Sequence, residues 1–253
     1  MRKISIILVF SILCCMIASL SSCSGGELEI DVLVDGYCVV RGRGTVSSAE
    51  IVIPKKYKGK PVTEISNGAF KDCTDITSVT LTENITEIGY EAFSGCTSLK
   101  EVNNTSTIKY IREDAFAGCT ELKKFSINDI MDFVGEGAFK GTSLLTTENN
   151  INYVGNWAVS METLTNEIRL KEGTVGLACS ALIDYDDYGY PEIVYLPSSL
   201  KTVFLNDWEY GEMEFHFGGT KNEWLALVND EDSKTIQCWT SVECSDGILI
   251  YEE

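Results

Sequence analysis

Apolar residues return along this chain with a period of 23. Rows open at Val62, Ile85, Ile108 and Met131, and the eighth and ninth places of each row hold Ala69-Phe70, Ala92-Phe93, Ala115-Phe116 and Ala138-Phe139. Ile65, Ile88, Ile111 and Val134 keep the same register, as do Ile76, Leu99, Leu122 and Leu145. Three residues after each Phe stand Cys73, Cys96, Cys119 and finally Thr142. A period this strict marks a stacked array of equivalent units rather than an ordinary globular core.

Within a row, Val79 and Leu81 alternate with polar neighbours, which predicts a strand with one buried face. Its counterparts are Glu101-Val102-Asn103 and Lys124-Phe125-Ser126-Ile127. Successive rows set these strands side by side, so they are expected to form a parallel sheet at ~4.8 Å spacing. The small Ala lets neighbouring coils approach on the other side, and the Phe fills the space between them. Recurrence of Cys at one place signals a packing role, a small apolar ladder beside a turn.

Beyond Gly141 the period loosens. Val154 with Ala158-Val159 matches Ile65 with Ala69-Phe70 after a 20-residue step, Leu177 with Ala181-Leu182 follows after 23, and Val203 with Asp207-Trp208 after 26. The surplus falls in the segment 184–190. Ile168-Arg169-Leu170 reads as the matching strand, and Leu196 to Leu200 repeats the pattern of Leu81 to Ile85. Roughly seven rows result, the last closed by Trp208.

An array exposes its first and last units, so both ends need covers. Residues 31–46, two apolar runs broken at Asp35-Gly36, predict a hairpin at the start. After Glu214, Phe215-His216-Phe217 alternates as a strand. Thr220 with Glu223 then forms a capping box for a short helix carrying Trp224, Leu225 and Val228. Ile236 to Val242 and Ile248 to Tyr251 read as two final strands around Asp246-Gly247.

Before all this stands a different kind of segment. Arg2 and Lys3 precede an apolar run from Ile4 to Leu20, the pattern of a secretory signal. Leu20-Ser21-Ser22-Cys23 then resembles the lipobox of bacterial lipoproteins, in which Cys23 would carry the lipid and become the first residue. Ser24-Gly25-Gly26 would serve as a flexible tether. The expected organisation is a signal peptide over 1–22, lipidated Cys and tether over 23–30, N-terminal cap with a first partial repeat over 31–61, repeats over 62–213 and C-terminal cap over 214–253.

Composition removes several function classes. The net charge is −18 over 253 residues, which argues against nucleic acid and against adsorption to anionic lipid by charge. Of ten Cys, none forms a C-x-x-C pair, and the lone His216 cannot complete a Cys/His zinc site, so no metal site and no cofactor are expected. Cys238 and Cys244 are close enough in sequence to bridge, though a buried thiol at each is an equal reading. A catalytic triad could form only around His216, which has no Ser-bearing Gly elbow nearby, so no catalytic residue is expected. The acidic segment 184–189 imitates a calcium loop but has Tyr188 and Tyr195 where ligands belong.

The rows, written I-x-x-I-x-x-x-A-F-x-x-C-x-x-L-x-x-V, resemble the bacterial surface leucine-rich repeats of the BspA-like type. The closing Gly219-Thr220-Lys221-Asn222-Glu223-Trp224 and Cys244-Ser245-Asp246-Gly247 are similar to that family's usual ending. The resemblance implies a leucine-rich repeat solenoid with a curved parallel β-sheet, short irregular or 3-10 coils on the other side and β-rich caps at both ends. It further implies export to the cell surface and a role in adhesion to host proteins or other cells, with no shared catalytic site.

Two surfaces are candidates for binding. Thr80, Asn103, Ser126, Asn149, Arg169 and Tyr195 occupy the outward strand positions, on the face that solenoids commonly use. Tyr185, Tyr188 and Tyr190 in the 184–190 insertion are aromatic contact residues of the kind enriched at interfaces. The expectation is a lipid-anchored, non-enzymatic monomer that binds an extracellular protein or glycan. A secreted accessory protein for carbohydrate processing, or a structural envelope component, is the alternative.

Overall fold

The computed structural model describes residues 26–128, 131–178, 181–183, 189–203, 213–228 and 241–250. They form a β-solenoid of about eight turns, mostly in parallel sheets. The first cover is the expected hairpin, in which Glu29–Val32 runs antiparallel to Cys38–Gly42. The second of these strands then pairs in parallel with Lys60–Ile65, the first strand of the repeating rows.

Each early row contributes two strands rather than the single one its alternation suggests. The expected mid-row sheet joins Glu50–Val52, Ser78–Thr80 and Glu101–Asn103 in parallel and extends by one bridge to Lys124. The other side, expected to be coil, carries a second parallel sheet. There Ile65 pairs with Ile88, Ile88 with Ile111 and Ile111 with Val134. Those strands are only two residues long after the first, too short to show any alternation.

The turns between strands are equally regular. Phe70, Phe93 and Phe116 donate their amides to the carbonyls of Ala92, Ala115 and Ala138 at 2.7–2.8 Å, so this side too is bonded row to row. The residue before each Cys-column position has a positive φ: 59° at Asp72, 74° at Gly95, and 73° at both Gly118 and Gly141. This left-handed conformation costs a side chain with Cβ about 1–2 kcal/mol, which explains three glycines in four rows.

Stacking at this pitch builds side-chain columns. Phe70, Phe93, Phe116 and Phe139 lie ring on ring, with centroids 5.1, 5.3 and 5.6 Å apart and planes within 9°. Phe125 meets the last two edge-on at 5.2 and 5.3 Å. Cys96 and Cys119 are buried free thiols that donate to the carbonyls of Phe70 and Phe93, both at 3.0 Å. A hydrogen bond with the Cys119 thiol, then burial, pushes the Cys96 thiol well above its ordinary range. A buried thiol whose ionisation is disfavoured is a packing group rather than a nucleophile.

The row pattern breaks once. Thr146–Glu148, Ile151–Val154 and Trp157–Met161 form an antiparallel meander. Its first turn is Asn149-Asn150, with φ of 52° and 69°, the paired left-handed residues that a two-residue hairpin turn requires. Ala158 pairs with Leu177, and Leu177 with Val203. The position equivalent to Ile65 is therefore Ala158, not Val154 as the apolar spacing suggests. The 20-residue row is in fact an inserted hairpin.

Beyond it the mid-row sheet resumes. Glu167–Arg169, Ile193–Leu196, Glu214–Phe217 and Ser241–Cys244 run parallel, closed by an antiparallel Gly247–Ile250. The helix Lys221–Val228 begins with the expected capping box. Thr220 donates its amide to Glu223 at 2.7 Å, and the Glu223 amide reaches back to the Thr220 hydroxyl at 3.3 Å. Trp224, fully buried, packs on Phe215 and Phe217 at 5.9 and 5.5 Å.

Phe93 sits mid-column with no exposure, so Phe93→Ala leaves a void bounded by two neighbouring rings. It should cost about 3–5 kcal/mol. Val52→Ala, at an exposed site on the same scaffold, should cost under about 0.5 kcal/mol. Urea unfolding of the two variants checks the contrast.

Candidate functional site

Parallel pairing aligns the outward side chains of the second mid-row sheet. Arg169 stands opposite Tyr195, Tyr195 opposite His216, and His216 opposite Glu243. Each flanking residue points the other way and is buried: Ile168, Val194, Phe215 and Val242. The alternation that buries the core therefore lines up four polar groups on one face.

These four are in contact. The Arg169 guanidinium carbon lies 3.5 Å from the centre of the Tyr195 ring, in cation–π contact. The other face of that ring stacks on His216 at 4.5 Å, with planes 22° apart. His216 Nδ1 is 2.7 Å from Glu243 Oε2, and its Nε2 is 2.8 Å from Glu214 Oε1. Glu167, two residues before Arg169, approaches the guanidinium at 3.4 Å. The ladder lines an open groove of about 740 Å³ whose wall includes Glu148, Asn149, Lys171 and Glu172. Lys171 is drawn aside over the Tyr153 ring, 4.1 Å from its centre. Burial pushes the Tyr153 phenol up, against the bond it accepts from the Lys171 amide.

The expected six-residue stripe thus divides. Thr80 and Asn103 pair in the first mid-row sheet, both half-buried. Ser126 lies past the end of that sheet, exposed, its carbonyl accepting the Thr105 hydroxyl at 2.8 Å. Asn149 is not in a parallel strand at all. It occupies the meander turn and reaches the edge of the second sheet, its amide 3.5 Å from the Arg169 carbonyl. Arg169 and Tyr195 are brought together as expected.

Tyr190 is half-buried against the core rather than a free contact residue, because the chain there is already entering the sheet at Ile193. Tyr185, Tyr188 and Cys23, the expected lipid site, lie outside the described residues, as do Cys179, Trp208 and Cys238.

Sequence reasoning missed His216 and its two carboxylates as members of the face. The signal was present: Phe215-His216-Phe217 has the alternation of Val194-Tyr195-Leu196, and counting one row further places His216 in the same column.

Among known families the chain matches the BspA type leucine rich repeat region, in six copies over residues 45–174. It is similar to the solved structure of a leucine-rich repeat protein from Bacteroides capillosus, 30% identical, covering 45% of this chain and 86% of that one, with a TM-score of 0.41. A leucine-rich repeat protein of T. pallidum is 21% identical over 73% of this chain and 74% of its own, at a TM-score of 0.46. One from Bacteroides ovatus is 22% identical over 76% and 54%, at 0.45. No curated protein matches the chain.

The stacked ladder should be measurable as a coupled unit. In a double-mutant cycle of Arg169→Ala with Tyr195→Leu, read by urea unfolding, the coupling should be about 0.5–1 kcal/mol.

Proposed function

Because the chain belongs to the BspA type leucine-rich repeat family, we propose that it is a non-enzymatic, lipid-anchored protein of the bacterial cell surface that binds an extracellular protein partner through the Arg169–Tyr195–His216 face. The observation that carries this reading is the ladder itself. It is the place where the solenoid replaces small polar outward residues, such as Thr80 and Asn103, with a contiguous aromatic and charged surface. Tyr and Arg are the residues that dominate binding energy at interfaces.

The chemistry of the face favours a polypeptide over a sugar. A pyranose binds by stacking on a free aromatic face, and both faces of Tyr195 are covered, one by Arg169 and one by His216. What remains is the edge of the ladder, set among Glu148, Glu172, Glu214 and Glu243. With a net charge of −18 for the whole chain, this suits a partner presenting Lys or Arg side chains. Catalysis finds no support in the same geometry. Both nitrogens of His216 face carboxylates, so among the described residues the imidazole is not turned to a nucleophile, and these two acids are engaged by the ring instead of standing free as an acid pair.

Immobilised protein is to be probed against arrays of extracellular proteins and glycans. Binding to a basic protein should fall at least tenfold in Arg169→Ala/Tyr195→Ala and survive in Thr80→Ala/Asn103→Ala. Loss in the second pair alone moves the surface to the N-terminal rows, and binding confined to glycans overturns the choice of partner. The anchor, inferred from Leu20-Ser21-Ser22-Cys23, is tested on protein from its native cells. A mass starting at an acylated Cys23, recovered in the detergent phase, is expected; an unlipidated soluble chain defeats the anchor.

A further inference from the structure

Glu214, His216 and Glu243 belong to the proposed binding face, and together they hold a second chemistry. One ligand atom from each lies within 4.8 Å of the other two. The sheet sets this arrangement. Glu214 and His216 are two residues apart on one strand, hence on one face, and Glu243 is the residue paired with His216 on the next. Groups placed by a sheet are held more closely than groups placed by loops. The imidazole plane is fixed as well, stacked on Tyr195, which Arg169 covers from the far side.

Both nitrogens of the imidazole face carboxylate oxygens. Nδ1, 2.7 Å from Glu243 Oε2, is placed to donate its hydrogen there. A neutral ring then has only a lone pair at Nε2, which faces the Glu214 carboxylate oxygen at 2.8 Å. Two facing acceptors at that separation take a hydrogen or a metal ion between them, and they form a ready pair of ligand atoms. Zinc sits at about 2.0–2.2 Å from imidazole nitrogen and carboxylate oxygen, so its neighbouring ligands in a tetrahedron are about 3.4 Å apart. A carboxylate shift of about half an ångström would admit it.

We propose that this cluster binds one divalent transition-metal ion, zinc foremost, through His216 Nε2 and the Glu214 carboxylate, with Glu243 holding the Nδ1–H. A carboxylate on the far nitrogen of a ligating histidine fixes the tautomer and raises the basicity of the ring. The mixed nitrogen and oxygen set selects zinc and its neighbours over calcium and magnesium, which take oxygen ligands. Two protein ligands leave positions open to water or to a donor group from a bound partner. Cysteine is not the companion of His216 here; the sheet supplies carboxylates instead.

The test is calorimetric titration of the purified full chain with zinc chloride in a non-chelating buffer. One ion per chain is expected. His216→Gln and Glu214→Gln should each weaken binding at least tenfold, and Glu243→Gln about tenfold. Cys73→Ser should leave it unchanged, and calcium chloride should give no saturable heat. His216 is the chain's single histidine, so its imidazole ¹⁵N resonances report the site in unmutated protein, and Nε2 should shift on adding zinc. Absence of saturable uptake, an unmoved Nε2 resonance, or zinc affinity unaltered by His216→Gln each overturns the site. Zinc titration needs no partner, so its failure leaves the proposed binding face standing, and failure to find a partner leaves the metal site standing.

Discussion

Everything in this fold depends on backbone hydrogen bonds that join each row to the next at a fixed register. Buried amides must find acceptors, and many here find them one row away, through turns as well as sheets. Phe70 donates to Ala92 and Asp72 to Ser94 through the turns, while Ile65 pairs with Ile88 in a sheet. Once the amides are committed, the side chains have no freedom of position. Residues at equal places in the row stand on top of one another, and each must suit the copy of itself above and below. Planar Phe rings suit this by stacking. Cysteine suits it because its thiol is small enough to fit the column and donates to a carbonyl of the preceding row. A one-residue insertion within a strand or turn would move that row's side chains out of their columns, which is why the period holds so strictly where the columns are fullest.

Legibility of the sequence follows from the same constraint. Rows with full columns were readable to the residue, including the packing role of Cys96 and Cys119 and the burial of Ile65, Ile88, Ile111 and Val134. The second sheet was not readable, because two-residue strands such as Glu87–Ile88 have no alternation to detect. Its order comes from its neighbours, not from local preference. The meander was misread for a different reason. Val154 and Ala158-Val159 reproduce the spacing of Ile65 and Ala69-Phe70 by chance, whereas the two left-handed asparagines between the strands were the better signal. The candidate site was half legible: Arg169 and Tyr195 fell in the expected column, but His216 was assigned to the cap. The sheet does not respect that division, since Glu214–Phe217 pairs with Ile193–Leu196 as any row would.

Both halves of the chain use the same outward strand position for different ends. In the first sheet it holds Thr80 and Asn103, whose polar atoms can be satisfied locally; Asn103 donates to Glu101 at 3.1 Å. In the second it holds an arginine, a tyrosine, a histidine and a glutamate that satisfy one another across strands. Such a chain of mutually supporting groups loses little rotamer freedom on meeting a ligand, because its order is already present. The acidic rim and the stacked centre are therefore parts of one preorganised surface, built from the regularity that forms the core.

The meander at 146–161 interrupts the mid-row sheet between these halves, and this has a consequence for how such a protein changes over generations. A row contacts only its immediate neighbours, so whole rows on the N-terminal side can be duplicated or deleted without moving Arg169 relative to Tyr195. Each row added there lifts the ladder about 4.8 Å further from the first cover. The uniform rows thus set a height, adjustable in whole steps, while the irregular rows keep the stacked ladder unchanged at the far end.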